Sequence, residues 1–224
     1  MKPVCLYDTT LRDGTQGENV TFSAHEKLKI ALRLDDIGIH YIEGGWPGSN
    51  PRDKEFFELA AHTEFANSRL AAFGATRKAN IEPGDDANLQ ALIESGTDVV
   101  TIFGKTWDLH VEQIMSNTLE ENLAMIRDSV VFLKDSGREV VYDAEHFFDG
   151  YAHNREYALE TLKQAVLGGA EHIVLCDTNG GALPHEVENA VTHVTGWLEK
   201  RCCDNGAKPA YSIGIHTHND CGMA

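Results

Sequence analysis

The chain alternates short apolar, β-rich runs with longer segments of helical period. The runs lie at residues 4–7, 41–43, 70–73, 99–103, 140–144, 173–176 and 212–215. They return every ~30–40 residues, the length of a βα unit. Each intervening segment carries its own start and stop signals. Ser23 and Glu26 form a capping box ahead of Ile30, Ala31, Leu34 and Ile37, and Gly38 closes that helix. Asn50 followed by Pro51 opens a second helix with Phe56, Leu59 and Ala60 as its apolar stripe. A short third helix spans 87–94. Thr118 and Glu121 open a fourth that buries Leu119, Leu123, Ile126, Val130 and Leu133. Asn154 caps a fifth, with Ala158, Leu162, Ala165 and Val166 inward, and Pro184 starts a sixth, with Val187, Ala190, Val191, Val194 and Leu198 inward.

Seven strands alternating with six helices predict a single α/β domain over 1–224, with a parallel sheet and helices outside it. Polar residues follow most strands, and no Gly-x-Gly-x-x-Gly follows the first. This favours a TIM (β/α)8 barrel over an open doubly wound sheet. The pattern stops at about seven βα units, so the expectation is the N-terminal part of a longer chain, with an eighth unit and accessory and regulatory domains beyond it.

Composition narrows the function. A net charge of −16 argues against nucleic acid as a partner, because such binding needs clustered Lys and Arg. No apolar run approaches the ~20 residues of a membrane span, and residues 1–3 lead into a strand rather than a signal peptide. The five cysteines are odd in number, with Cys202 and Cys203 adjacent, which fits reduced thiols in the cytoplasm rather than a disulfide framework.

Two polar stretches carry the candidate chemistry. The first is Tyr7-Asp8-Thr9-Thr10-Leu11-Arg12-Asp13-Gly14-Thr15-Gln16, at the end of strand one. Its carboxylate suits a hard divalent cation, and its guanidinium suits a small oxo-acid anion. The second is His216-Thr217-His218-Asn219-Asp220, after strand seven. Residues two apart on a strand point the same way, so His216 and His218 can share one centre. In a barrel the ends of strands one and seven lie ~10 Å apart, a gap that side chains bridge. Asp13, His216 and His218 are therefore the candidate ligands of a divalent metal, with Mn, Mg, Zn and Co served about equally by mixed O/N donors.

Other strand ends add further residues. Glu43 precedes Gly44-Gly45-Trp46-Pro47-Gly48, whose glycines let backbone approach a ligand, and it can pair with Arg12. Glu145, followed by His146, is a candidate general base or a salt-bridged rim residue. The Thr178 hydroxyl can hold a carboxylate, or its stretch, Asp177-Thr178-Asn179-Gly180-Gly181, is plain turn chemistry. Phe147, Phe148 and Trp107 are read as packing beside the mouth. The remaining histidines, among them His40, His110, His153, His172 and His193, are read as surface or helix residues without clustered partners.

With these two motifs at strands one and seven, the sequence resembles the DRE-TIM metallolyases, which include isopropylmalate, homocitrate and citramalate synthases and the lyase for hydroxymethylglutaryl-CoA. The runs from Tyr41 to Pro51 and from Asp143 to Gly150 look most like those of long-form (R)-citramalate synthases. The resemblance implies a metal on Asp13, His216 and His218, with acetyl-CoA as co-substrate and a 2-oxo acid, most nearly pyruvate. It implies that Arg12 stabilises the developing alkoxide, Glu43 orients Arg12, Thr178 and Gln16 bind substrate, and Glu145 assists removal of a methyl proton. It also implies a homodimer at full length. A carbon–carbon lyase of the same fold and a non-catalytic metal-binding barrel are the alternatives.

Overall fold

A computed structural model describes residues 4–202 and 210–222. The lead-in at residues 1–3 and Cys203 lie outside the described residues. Among the described residues, seven parallel strands pair in chain order: β1 (Tyr7–Asp8), β2 (Tyr41–Gly45), β3 (Arg69–Ala75), β4 (Val99–Lys105), β5 (Glu139–Glu145), β6 (His172–Asp177) and β7 (Ser212–Thr217). Between them run α1 (Ala24–Asp36), α2 (Pro51–Ala60), α3 (Ala87–Glu94), α4 (Leu119–Asp135), α5 (Phe147–His153), α6 (Arg155–Gly168) and α7 (Pro184–Arg201). The architecture is a curled, TIM-like half-barrel with helices on its outer face.

Local chemistry starts the helices where expected. Ser23 and Glu26 exchange the two bonds of a capping box, and the side chains of Asn50, Thr118 and Asn154 each accept a backbone N–H of the first turn. The main core lies between sheet and helices, with Phe56, Ile102, Ile126, Tyr142 and Leu162 fully buried. A smaller cluster of Ala71, Val99 and Val141 fills the inside of the curl, with Tyr7, Tyr41 and Val174 against it.

Three local expectations are corrected. Strand one begins at Tyr7 rather than residue 4, and Val4 and Leu6 are exposed, because this edge strand has a ladder partner on one side only. Ile37 is 74% exposed rather than inward, since α1 ends at Asp36 and the chain turns off the helix axis before Gly38. The segment after β5 holds the extra helix α5, too short to show a period in the sequence.

The N-terminal end of the curl is closed by polar bonds. Glu139 accepts from the Tyr41 hydroxyl at 2.9 Å, pairs with Arg69, and meets His172 Nε2 at 3.1 Å, while His172 Nδ1 meets Ser212 Oγ at 2.6 Å. His172 is thus not an isolated histidine. His40 accepts from the Leu6 amide, and His193 and His153 bond to Tyr151 and Asp108. Burial would raise the Glu139 carboxyl, but bonds from Arg69, Tyr41 and His172 bring it below its ordinary value. Glu139 therefore stabilises the fold above the unfolded carboxylate pKa of about 4.3, and that contribution is lost as pH falls through the lowered folded value. Replacing Glu139→Gln is expected to cost about 1–2 kcal/mol near neutral pH and progressively less as the pH falls below the unfolded carboxylate value, measured by denaturant unfolding.

Candidate active site

The candidate side chains gather at the C-terminal ends of the strands, where each βα turn exposes the last inward-facing residue. Leu11, fully buried, anchors the first turn, and a single turn of 3-10 helix (Gly14–Gln16) follows. Arg12 and Asp13 are thereby held at the mouth. Arg12 Nε donates to Glu43 Oε1 at 2.5 Å, and its NH1 donates to Asp13 Oδ1 at 2.9 Å. Glu43 is fully buried, and its other oxygen accepts from the Tyr7 hydroxyl at 2.7 Å, which in turn lies 2.5 Å from Thr101 Oγ1. The guanidinium carbon sits 3.8 Å from the centroid of the Phe73 ring. Arg12 is thus fixed from three sides. Its desolvation opposes the charge, but Glu43 and Asp13 keep the guanidinium more firmly protonated than usual.

Asp13 Oδ2 lies 3.5 Å from His216 Nε2 and 3.5 Å from His218 Nε2. The two imidazoles stack with centroids 5.0 Å apart, as expected for residues two apart on one strand. The three donor atoms fall within 4.8 Å of one another. Separations near 3.5 Å are those of neighbouring ligands on one ion with bonds of ~2.1 Å. The donor set of one carboxylate and two imidazoles therefore fits a divalent cation. The hydrogen bond to His216, with the Arg12 and histidine charges, overrides burial and lowers the Asp13 carboxyl to about 2, and the same bond raises His216.

The other predicted residues divide. Thr178 is half-buried after β6, where its hydroxyl accepts the His146 backbone N–H at 2.9 Å. Its neighbour Asp177 is turn chemistry, accepting from the amides of Gly181 and Ala182. Glu145 is ion-paired with Lys105 at the strand end. The parallel register aligns these two residues across β4 and β5. Gln16 is exposed on the 3-10 turn, and its side chain joins none of these bonds. Phe147 is buried in the main core at the start of α5.

The glycines of β2 act differently from expectation. A Cβ on Gly44 would stand 2.3 Å from the Phe56 ring, and Gly45, with φ +145°, would meet Asp53. They admit protein rather than a ligand. Asp53 pairs with the buried Lys27 and accepts the Trp46 amide at 2.8 Å, which locks the turn beyond Glu43. Gly44→Ala is expected to destabilise the fold by about 1–3 kcal/mol, read from the shift in urea midpoint.

Asp143 was missed as a site residue. It lies two residues before Glu145 on the same inward face of β5, and it forms a second close group with Cys176 and His216. Burial, then the neighbouring Glu43 charge, pushes its carboxyl up to about 7. The alternation of Glu139, Val141, Asp143 and Glu145 was the available signal. His110, read as unpartnered, packs against His146 with centroids 4.5 Å apart, beside Trp107.

Residues 3–224 match the sequence profile of the HMGL-like family. The chain is 52% identical over 217 residues to an (R)-citramalate synthase of Aquifex aeolicus, covering 97% of this chain and 39% of that protein. It is 50% identical to an (R)-citramalate synthase of Geobacter sulfurreducens, covering 100% of this chain and 41% of that one. The chain thus spans about two fifths of the length of these relatives. Among solved structures, a Bacillus subtilis HMG-CoA lyase superposes with a TM-score of 0.75 at 18% identity, covering 100% of this chain and 71% of that one, a likeness of fold.

Proposed function

Because the chain belongs to the HMGL-like family, we propose that it forms the single catalytic barrel of a divalent-metal-dependent acyltransferase. The enzyme joins the methyl carbon of acetyl-CoA to the keto carbon of a 2-oxo acid, with pyruvate as the acid and (R)-citramalate as the product, in branched-chain amino-acid biosynthesis. The observation that carries this reading is the convergence of Asp13, His216 and His218 beside a desolvated, doubly paired Arg12. The likeness to (R)-citramalate synthases at 50–52% identity supports the choice of reaction.

Asp13, His216 and His218 would hold the cation, which when bound supplies Lewis-acid polarisation of a ketone oxygen. Arg12 donates to that oxygen and stays in place as it gains negative charge, because Glu43, Tyr7 and Phe73 leave the guanidinium no other position. Thr178 donates its hydroxyl proton to the substrate carboxylate. Glu145, its direction set by Lys105, accepts the methyl proton of the thioester as the carbon–carbon bond forms. Water then cleaves the thioester and releases the CoA thiol, which makes the sequence irreversible.

Two features support a small, uncharged oxo-acid side chain. Trp46, Phe73 and Phe103 make an aromatic wall beside Arg12, with centroids 5.4–5.7 Å apart. The rim cation Lys105 is already paired with Glu145, so it is not free for the second carboxylate of 2-oxoglutarate. We also read the full-length enzyme as a cytoplasmic homodimer acting on small molecules. The free thiols of Cys5, Cys176 and Cys221 agree with that compartment, and among the described residues no helix is long and apolar enough to cross a membrane.

The test is CoA thiol release by the protein at its full natural length, with Mn or Mg, offered pyruvate, 2-oxoisovalerate and 2-oxoglutarate in parallel. Release that depends on pyruvate and stops on chelation is expected. Release with another acid keeps the mechanism and moves the substrate. Failure with every acid, from a protein that binds metal, points to a carbon–carbon lyase or a non-catalytic barrel.

A further inference from the structure

A closed ring of hydrogen bonds ties the turn after β5 to the loop after β6, and the chemistry above leaves it unused. His146 stands at φ +54° and ψ +35°, in the left-handed region that non-glycine residues seldom occupy. From there its backbone N–H reaches across to Thr178 Oγ1 at 2.9 Å. Its Nδ1 lies 3.1 Å from Asp149 Oδ2, and a carboxylate oxygen accepts, so Nδ1 carries the proton. Asn179, next to Thr178, donates its side-chain amide to the same Asp149 oxygen at 3.0 Å. The ring therefore runs from His146 to Thr178, along the chain to Asn179, through Asp149 and back.

A glycine would supply this backbone shape at lower conformational cost, but it would offer no imidazole for Asp149 to hold. The side chain locks the very residue whose backbone is strained. A threonine hydroxyl has one proton to give and two lone pairs with which to accept. Here the His146 N–H takes a lone pair, and the proton has no acceptor assigned among the described residues. It is left to donate to a ligand at the mouth.

We propose that His146 is a positioning residue: its left-handed backbone, locked by Asp149 and Asn179, aims the Thr178 hydroxyl at the carboxylate of the 2-oxo acid. This rests on the role given to Thr178 under the proposed function. The imidazole takes no part in proton transfer on this account. Its work is to hold its own backbone.

The experiment uses the protein at its full natural length and compares His146→Asn with His146→Val. Asparagine tolerates the left-handed region and keeps the N–H, whereas a β-branched side chain does not fit there. Expected for His146→Val is a rise of about tenfold or more in pyruvate KM, with kcat and calorimetric Mn affinity within a few-fold. His146→Asn is expected to stay close to the parent, and Thr178→Val to reproduce the KM rise. The double variant His146→Val with Thr178→Val is expected to add little to either alone.

Equal losses of kcat in both His146 variants, with KM unchanged, would overturn the proposal in favour of a direct chemical role for the imidazole. An unchanged KM in His146→Val, while Thr178→Val raises it, would overturn it by showing that Thr178 needs no positioner. If Thr178→Val itself leaves pyruvate binding intact, the role of Thr178 falls first and the positioning role with it. Should the valine variant not fold, His146→Ala set against His146→Gly reads the same backbone preference. A higher KM for alanine than for glycine is then expected, and equality would overturn the proposal.

Discussion

Replacing Arg12 by alanine is expected to lower turnover of the full-length enzyme by on the order of 10³-fold, with metal affinity changed only a few-fold. The guanidinium is a preorganised donor. Its Nε and NH1 are committed to Glu43 and Asp13, Phe73 lies against its face, and no reorganisation is needed as charge develops on the substrate oxygen. Arg12→Lys keeps a charge but cannot bond Glu43 and Asp13 while also reaching substrate, so it should recover only part of the loss. Both variants strip the buried Glu43 of its fork partner, so melting must be followed alongside thiol release. Calorimetric titration with Mn separates chemistry from metal binding. Full retention of turnover would remove Arg12 from the catalytic machinery.

His218→Ala is expected to weaken divalent-metal binding by at least about 10²-fold and to abolish turnover at ordinary metal concentrations. The structure places three donors around one point, with Asp13 at the shared corner. Removing His218 leaves an Asp13–His216 pair, which lacks the third donor needed to hold the ion against water. The loss is read by direct Mn titration, and excess metal should restore part of the activity. Unchanged affinity would remove His218 from the ligand set.

Much of this was legible before any coordinates. The repeated strand–helix period, the capping residues and the glycine stops placed every long helix, because each depends on chemistry within a few residues. The meeting of Asp13, His216 and His218 was legible for a related reason. His216 and His218 are two apart on a strand, and Asp13 lies at the end of the strand that the curl brings nearest. Lys105 could not be paired with Glu145 from the sequence, since that contact depends on the register of β4 against β5. The left-handed turn at His146 was equally hidden, because a histidine does not announce positive φ as a glycine does. Gly44 and Gly45 misled, for the sequence shows that backbone is approached closely but not by what. Asp143 could have been found by carrying the alternation of β5 one residue pair back from Glu145.

The central claim is that this barrel joins two carbon skeletons at a divalent metal. It is tested most directly by supplying the full-length protein with Mn, pyruvate and acetyl-CoA deuterated in the methyl group, then identifying the product by mass spectrometry. The account predicts (R)-citramalate that keeps all but one of the methyl deuteriums, with no product after chelation and on the order of 10³-fold less from Arg12→Ala. Deuterated acetate beside untouched pyruvate would contradict it, since that outcome is thioester hydrolysis without carbon–carbon bond formation.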